Sequence, residues 1–265
     1  MSKKSDTKKR AMIYWGGWPG HDPELVAHRF ERILKNENFE VDVFEGLDIL
    51  DDYDKLMTYD LIIPEYTQGS LPNGDQKELN LENAVGQGVG LAGCHGGMCD
   101  SFRECVQYQF MTGSQWVAHP GMDGIDYMVN ILKTDDPLLD GIEDFPVSSE
   151  QYYLHVDPAV KVLATTRFPV VWEYNITNPP VDMPVVYTKM WGLGRVFYSS
   201  LGHHDDVFDK SPSSEEIMRR GFLWAAESKT LAEREKRVFP FSHGPSGTHG
   251  AARTYLDPCK DYSIK

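Results

Sequence analysis

The sequence predicts an α/β protein with a mostly parallel central sheet and helices on both faces, followed by a strand-rich second half. Three observations predict it. Over residues 11–97 short apolar runs alternate with segments of helical period. From about residue 124 the pattern changes to closely spaced strand-like runs. The 265 residues are 41% hydrophobic and 12% aromatic, enough to fill a core on both sides of a sheet.

The elements follow in order. Residues 12–15 form a first strand, broken by Gly16-Gly17-Trp18-Pro19-Gly20. Asp22 then stands as an N-cap with Pro23 at the first helical position, and Leu25, Phe30, Ile33 and Leu34 recur at helical spacing. Residues 41–44 and 60–64 are the next strands, and a helix over 75–87 leads into a fourth at 89–94. Strand patterns then cover 126–133, 148–156, 160–166, 184–190 and 194–200, the last two joined by the turn Trp191-Gly192-Leu193-Gly194. A helix over 215–226 turns Ile217, Phe222, Leu223 and Trp224 inward. The expected organisation is a disordered tail over 1–10, one domain over 11–229 and a C-terminal arm over 230–265. By composition that segment reads as a loose tail; alternatively Phe239, Phe241 and Tyr255 suit an arm that packs on the chain itself or on a second copy, which makes it the candidate surface for a homo-oligomer.

Forty acidic residues against 26 basic ones give a net charge of −14, which repels phosphate backbones and anionic headgroups and so argues against nucleic-acid and membrane-surface roles. The basic start MSKKSDTKKR is not followed by the apolar stretch of a signal peptide, and no run approaches the ~18–20 apolar residues of a spanning helix. The four cysteines form no C-x-x-C pair and read as reduced thiols of a cytoplasmic protein.

Gly93-Cys94-His95-Gly96-Gly97, directly after a strand, has the small-x-X-x-small pattern of a nucleophile elbow. With Cys94 central, the flanking small residues are Ala92 and Gly96, and the stretch resembles the Cys-His-Gly of PfpI-type intracellular proteases. With His95 central they are Gly93 and Gly97, and no amidotransferase nucleophile exists. Local sterics allow both.

Larger blocks carry a second resemblance. His95-Gly96-Gly97-Met98 with Asp100-Ser101-Phe102-Arg103, the run from Gly113 through Trp116 and His119 to Gly121, and Glu150-Gln151-Tyr152-Tyr153 come in this order. They continue through residues 162–166, 183–187 and 191–198 to Gly202-His203. Over roughly residues 11–226 the chain resembles the ThuA-like, trehalose-utilisation family. The resemblance implies a flavodoxin-like three-layer sandwich of the class I glutamine amidotransferase-like kind. It also implies a histidine at the elbow, hence no functional glutamine amidotransferase, and a disaccharide or 3-keto-glycoside as the small-molecule sugar substrate.

His21 follows the first strand, His95 sits at the elbow, His119 lies in the loop after Trp116, and His203 with His204 ends the last strand. In a parallel α/β sheet such positions share the edge where ligands bind. Glu150 supplies a carboxylate, and strand alternation would put Glu150 and Tyr152 on one face. The candidate catalytic residues are therefore His95, His119, Glu150 and His203, with imidazole suited to proton transfer near neutral pH. Trp18, His21, Trp116, Tyr152 and Trp191 are the candidate substrate-binding residues, offering ring faces to a sugar; Trp15 and Trp172 are further ring candidates. His28 reads as a helix-face residue and Asp205-Asp206 as a solvated run. Three readings stay open: a hydrolase or isomerase of keto-sugars, a non-catalytic sugar-binding or sensor domain, and a metal-dependent hydrolase. In the last, His21, His95, His119 and His203 would bind a divalent cofactor such as Zn²⁺, although no pair has helix-borne ligand spacing.

Overall fold

Residues 8–168 and 179–237 are described in the computed structural model. The first strand, β1 (Arg10–Gly17), is apolar on both sides because it runs through the middle of a covered sheet, and Ala11, Met12, Ile13 and Tyr14 are fully buried. There follow α1 (Pro23–Asn36), β2 (Glu40–Glu45), α2 (Tyr53–Leu56), β3 (Leu61–Thr67), α3 (Gln76–Gly86) and β4 (Gly90–Cys94). The second half comprises α4 (His95–Cys99), α5 (Val106–Thr112), β5 (Ser114–Ala118), β6 (Ile125–Ile131), β7 (Phe145–Ser149) and β8 (Tyr153–Val156). It ends with β9 (Lys161–Phe168), β10 (Val181–Trp191), β11 (Gly194–Ser199), α6 (Asp206–Lys210), α7 (Pro212–Ala226) and α8 (Ser228–Arg234).

Among the described residues nine strands form one sheet in the order β2-β1-β3-β4-β11-β10-β9-β6-β7. The first five pair in parallel, and with β11 in fifth place they reproduce the flavodoxin-like 2-1-3-4-5 order. The remaining four extend the sheet antiparallel. Helices α1 and α7 cover one face, where Phe30 meets the edges of Phe208 and Phe222 at 5.5 and 4.8 Å. Helices α3 and α5 cover the other, burying Leu81, Val85, Tyr108 and Met111. The buried Arg29 ties α1 to the C-terminal helices through Asp205 (2.6 and 2.9 Å), Asp209 (3.0 Å) and Glu215 (2.8 Å), so the expected solvated run holds a structural anchor.

Several expectations need correction. The single strand over 148–156 is two strands in different sheets: β7 lies at the edge of the main sheet, whereas β8 pairs with β5 in a separate ribbon. Glu150, Gln151 and Tyr152 bridge them, so strand alternation does not set their directions. Instead, Tyr127 donates to the Glu150 carbonyl at 3.1 Å and the Gln151 amide to Thr166 Oγ1 at 2.7 Å. Leu25 is 58% exposed, on the outer side of α1. Asp22 has φ +48° and caps nothing with its side chain, which bonds His204 Nδ1 at 2.9 Å. Arg10, expected in the tail, opens β1, and Lys9 Nζ bonds the Ala226 carbonyl at 2.9 Å. Helix α8 crosses the expected boundary at 229. Residues 1–7 and 238–265, which hold most of the expected tail and arm, lie outside the described residues. Among the described residues no helix is long and apolar enough to cross a membrane.

Candidate functional site

The parallel strands β1, β3, β4 and β11 all end at one edge, and each delivers a polar group there. After β4 the chain passes directly into α4. Cys94 is extended (φ −130°, ψ 160°), whereas His95 has φ +42°, a left-handed conformation costly for a residue with a side chain. His95 is thus the central residue of the elbow. The glycines after it leave room for what packs beside them. A Cβ on Gly96 would lie 2.3 Å from the His21 ring, and one on Gly97 would lie 2.3 Å from Glu65 Oε2. Cys94 is fully buried and its thiol faces Glu65 Oε1 at 3.4 Å. Burial and the neighbouring Glu65 push that thiol far above its ordinary range, the reverse of an activated nucleophile.

Glu150, 4% exposed, is the centre of the cluster. Its Oε2 lies 3.2 Å from His95 Nε2, 3.3 Å from His203 Nδ1 and 3.8 Å from His21 Nε2, and its Oε1 lies 3.2 Å from His119 Nδ1. The far sides of the rings face polar groups, two of them at hydrogen-bond distance. His95 Nδ1 lies 2.8 Å from the Ser200 carbonyl, His21 Nδ1 lies 2.8 Å from Thr67 Oγ1, and His203 Nε2 lies 3.9 Å from Asp123. Tyr152 stacks on His95 at 3.8 Å, Trp18 meets His21 edge-on at 4.8 Å, and Trp116 lies 5.3 Å from His119. The structure therefore brings together His21, His95, His119, Glu150 and His203 with Trp18, Trp116 and Tyr152.

Trp191 is not among them. The β10–β11 turn falls where β11 begins, at the end of the sheet opposite the elbow, and the Trp191 ring packs on Phe110 at 5.2 Å while its Nε1–H donates to the Glu82 carbonyl. Trp172 lies outside the described residues. His28 pairs with Glu31 on an exposed helix face, as its position suggested. The ligand set expected from four histidines also changes. The ligand atoms that lie within 4.8 Å of one another belong to His21, His95, His203 and Glu150, with His119 on the outer side of the carboxylate.

Burial, then the neighbouring His95 and His203, depresses His21 to about 2; burial and His95 depress His203 to about 4. Both rings are neutral at neutral pH. Burial alone would raise Glu150, but His119 and His95 outweigh it and hold the carboxylate well below its usual range. His119 moves the other way, raised by the adjacent Glu150 against a smaller effect of burial. With its side chain 20% exposed, it is the imidazole of the cluster with solvent access.

Three residues at this edge carried no signal strong enough to single them out. Arg103 grips the buried Asp100 in a two-pronged pair (2.6 and 2.8 Å) and lies 4.4 Å over the Trp116 ring. Their i,i+3 spacing hinted at a pair but not at its place beside His119. Thr67 becomes informative once β3 is known to end beside β1. Among the described residues, a cleft of about 640 Å³ lined by Arg195, Arg220 and Trp224 and one of about 380 Å³ lined by residues between 131 and 144 and by Leu163 hold no imidazole, and one of about 310 Å³ beside β5 and β8 holds the single imidazole of His155. The chemistry therefore concentrates at the elbow.

Solved structures share the fold. A ThuA-like protein from Bacteroides uniformis superposes with a TM-score of 0.66 at 18% identity, covering 84% of this chain and 94% of the other. One from Parabacteroides merdae gives 0.66 at 18%, covering 84% and 91%. A cytoplasmic protein from Salmonella typhimurium LT2 gives 0.54 at 12%, covering 84% and 99%. No curated protein matches the sequence. The family model described as trehalose utilisation matches residues 10–225, and the chain belongs to that family, ThuA.

Proposed function

We propose that the protein is a cytoplasmic enzyme of carbohydrate catabolism that acts on a disaccharide or 3-keto-glycoside by acid–base chemistry at Glu150 and its histidines. The observation that carries this reading is the buried Glu150 carboxylate, ringed by imidazoles, with a partly exposed His119 on its outer oxygen. A keto group acidifies the neighbouring C–H, so an imidazole that cycles its proton near neutral pH is suited to attack there. His119 exchanges the proton with the sugar, and Glu150 stabilises its charged form. His95 and His203, at 1% and 4% exposure, hold Glu150 from behind. Trp18, 43% exposed, and Trp116 offer ring faces for the sugar at the rim.

The test is a screen of purified protein against 3-keto-glucosides and their parent disaccharides, reading both binding and product. Product from a keto-glycoside, lost in His119→Gln, is the expected result. Saturable binding with no product after long incubation would replace the enzyme by a sugar sensor.

A further inference from the structure

The three imidazoles behind Glu150 are held in a way that proton transfer does not require. The Ser200 carbonyl can only accept, so His95 Nδ1 at 2.8 Å carries the hydrogen. Nε2 then faces a carboxylate oxygen at 3.2 Å, a contact that needs a positive charge between the two atoms, either a second proton on the ring or a bound ion. His203 Nδ1 is buried 3.3 Å from the same oxygen yet has no aligned hydrogen bond. His21, with Nδ1 engaged by Thr67, turns Nε2 toward that oxygen too. A cation between these atoms would be a shared partner for all three nitrogens and the carboxylate, including the unpartnered His203 Nδ1.

We propose that His21, His95, His203 and Glu150 bind a divalent first-row transition ion of the zinc type. The spacing fits: bonds of ~2.0–2.1 Å put tetrahedral ligand atoms about 3.3 Å apart, and Glu150 Oε2 lies 3.2, 3.3 and 3.8 Å from the three nitrogens. The donor set of three imidazoles and one carboxylate suits zinc or iron better than magnesium or calcium, which prefer all-oxygen shells. The outer partners match as well, since metal-bound imidazoles direct their other nitrogen at a carbonyl, hydroxyl or carboxylate. Ser200, Thr67 and Asp123 take those places, and His119 lies on the free oxygen of Glu150. The inference rests on the reading of this cluster as the reaction centre and adds a cofactor to it. A bound ion would polarise a sugar oxygen, leaving His119 to move the proton.

The experiment uses untagged full-length protein, stripped with a chelator and reloaded with Zn²⁺ or Co²⁺. Bound metal is read by elemental analysis and cobalt by its visible ligand-field spectrum. The expected result is about one equivalent per chain, with affinity at least about tenfold weaker in His21→Ala and His203→Ala and retained in His119→Gln. Thr67→Val keeps all four ligands and should still weaken binding about tenfold, which covers the case in which a ligand variant fails to fold. Less than about a tenth of an equivalent in the wild type, or unchanged uptake in the ligand variants, overturns the proposal. Metal binding without turnover of any sugar removes the sugar assignment and keeps the ion. Full turnover by the metal-free protein does the reverse.

Discussion

Two carboxylates lie on opposite sides of the elbow, each 4% exposed, and their environments drive them to opposite states. Glu65, beneath Gly97, has a thiol as its partner, and burial pushes it up to about 8. Glu150, beside His95 and His21, has imidazoles on both oxygens and stays ionised far below neutrality. Burial alone therefore does not mark the working group. The partners do: a thiol cannot supply the positive charge that an imidazole can, so only one of the two sites can hold a charge and pass a proton.

The difference can be broken from either side. Glu150→Gln should cost the largest amount, about 10²–10⁴-fold in turnover, because it removes the charge that sets His119; steady-state rates measure it. Gly96→Ala forces a methyl group against the His21 ring and should disorder the ionised side, with overpacking costing about 1–3 kcal/mol in denaturant unfolding and a parallel loss of turnover. Gly97→Ala presses instead on Glu65. A similar stability loss is expected there, accompanied by a smaller loss of rate.

The protonated side has a pH signature. Below an unfolded value of about 4.3 both states of Glu65 are protonated and its contribution to stability is fully present. As pH rises, the unfolded chain releases the proton while the folded one keeps it up to about 8, so stability falls across that window. Glu65→Gln should remove this slope, on the order of a few kcal/mol over the window, as read from urea unfolding at pH 5 and pH 8.5. The smallest effect belongs to Cys94→Ala, which should leave turnover within about twofold and cost on the order of 1 kcal/mol for the lost sulfur. A large rate loss there would return the elbow to thiol chemistry.

What the sequence made legible follows from chain continuity. His21, His95 and His203 each come soon after a parallel strand, and parallel strands share an edge, so their convergence could be read without coordinates. The register of the elbow could not be read from sterics, because Cys94 and His95 both have small residues two positions away; the φ of +42° at His95 decides it. Glu150 was legible as a residue but not in its setting, since an apparently continuous strand hides a break between two sheets. Trp191 looked like a rim residue because it lies in a glycine turn. A turn joining antiparallel strands can fall at either end of a sheet, and only the pairing of β11 with β4 places this one at the far end.

In the proposed function Glu150, and not Glu65, is the reactive carboxylate of a keto-sugar site. Turnover of a 3-keto-glucoside by wild type, Glu150→Gln and Glu65→Gln, measured side by side at neutral pH, tests it most directly. Expected are product from the wild type, a loss of at least about 10²-fold in Glu150→Gln and a rate within about threefold of wild type in Glu65→Gln. Equal losses in the two variants, an undiminished rate in Glu150→Gln, or no product from the wild type with any 3-keto-glucoside would contradict it.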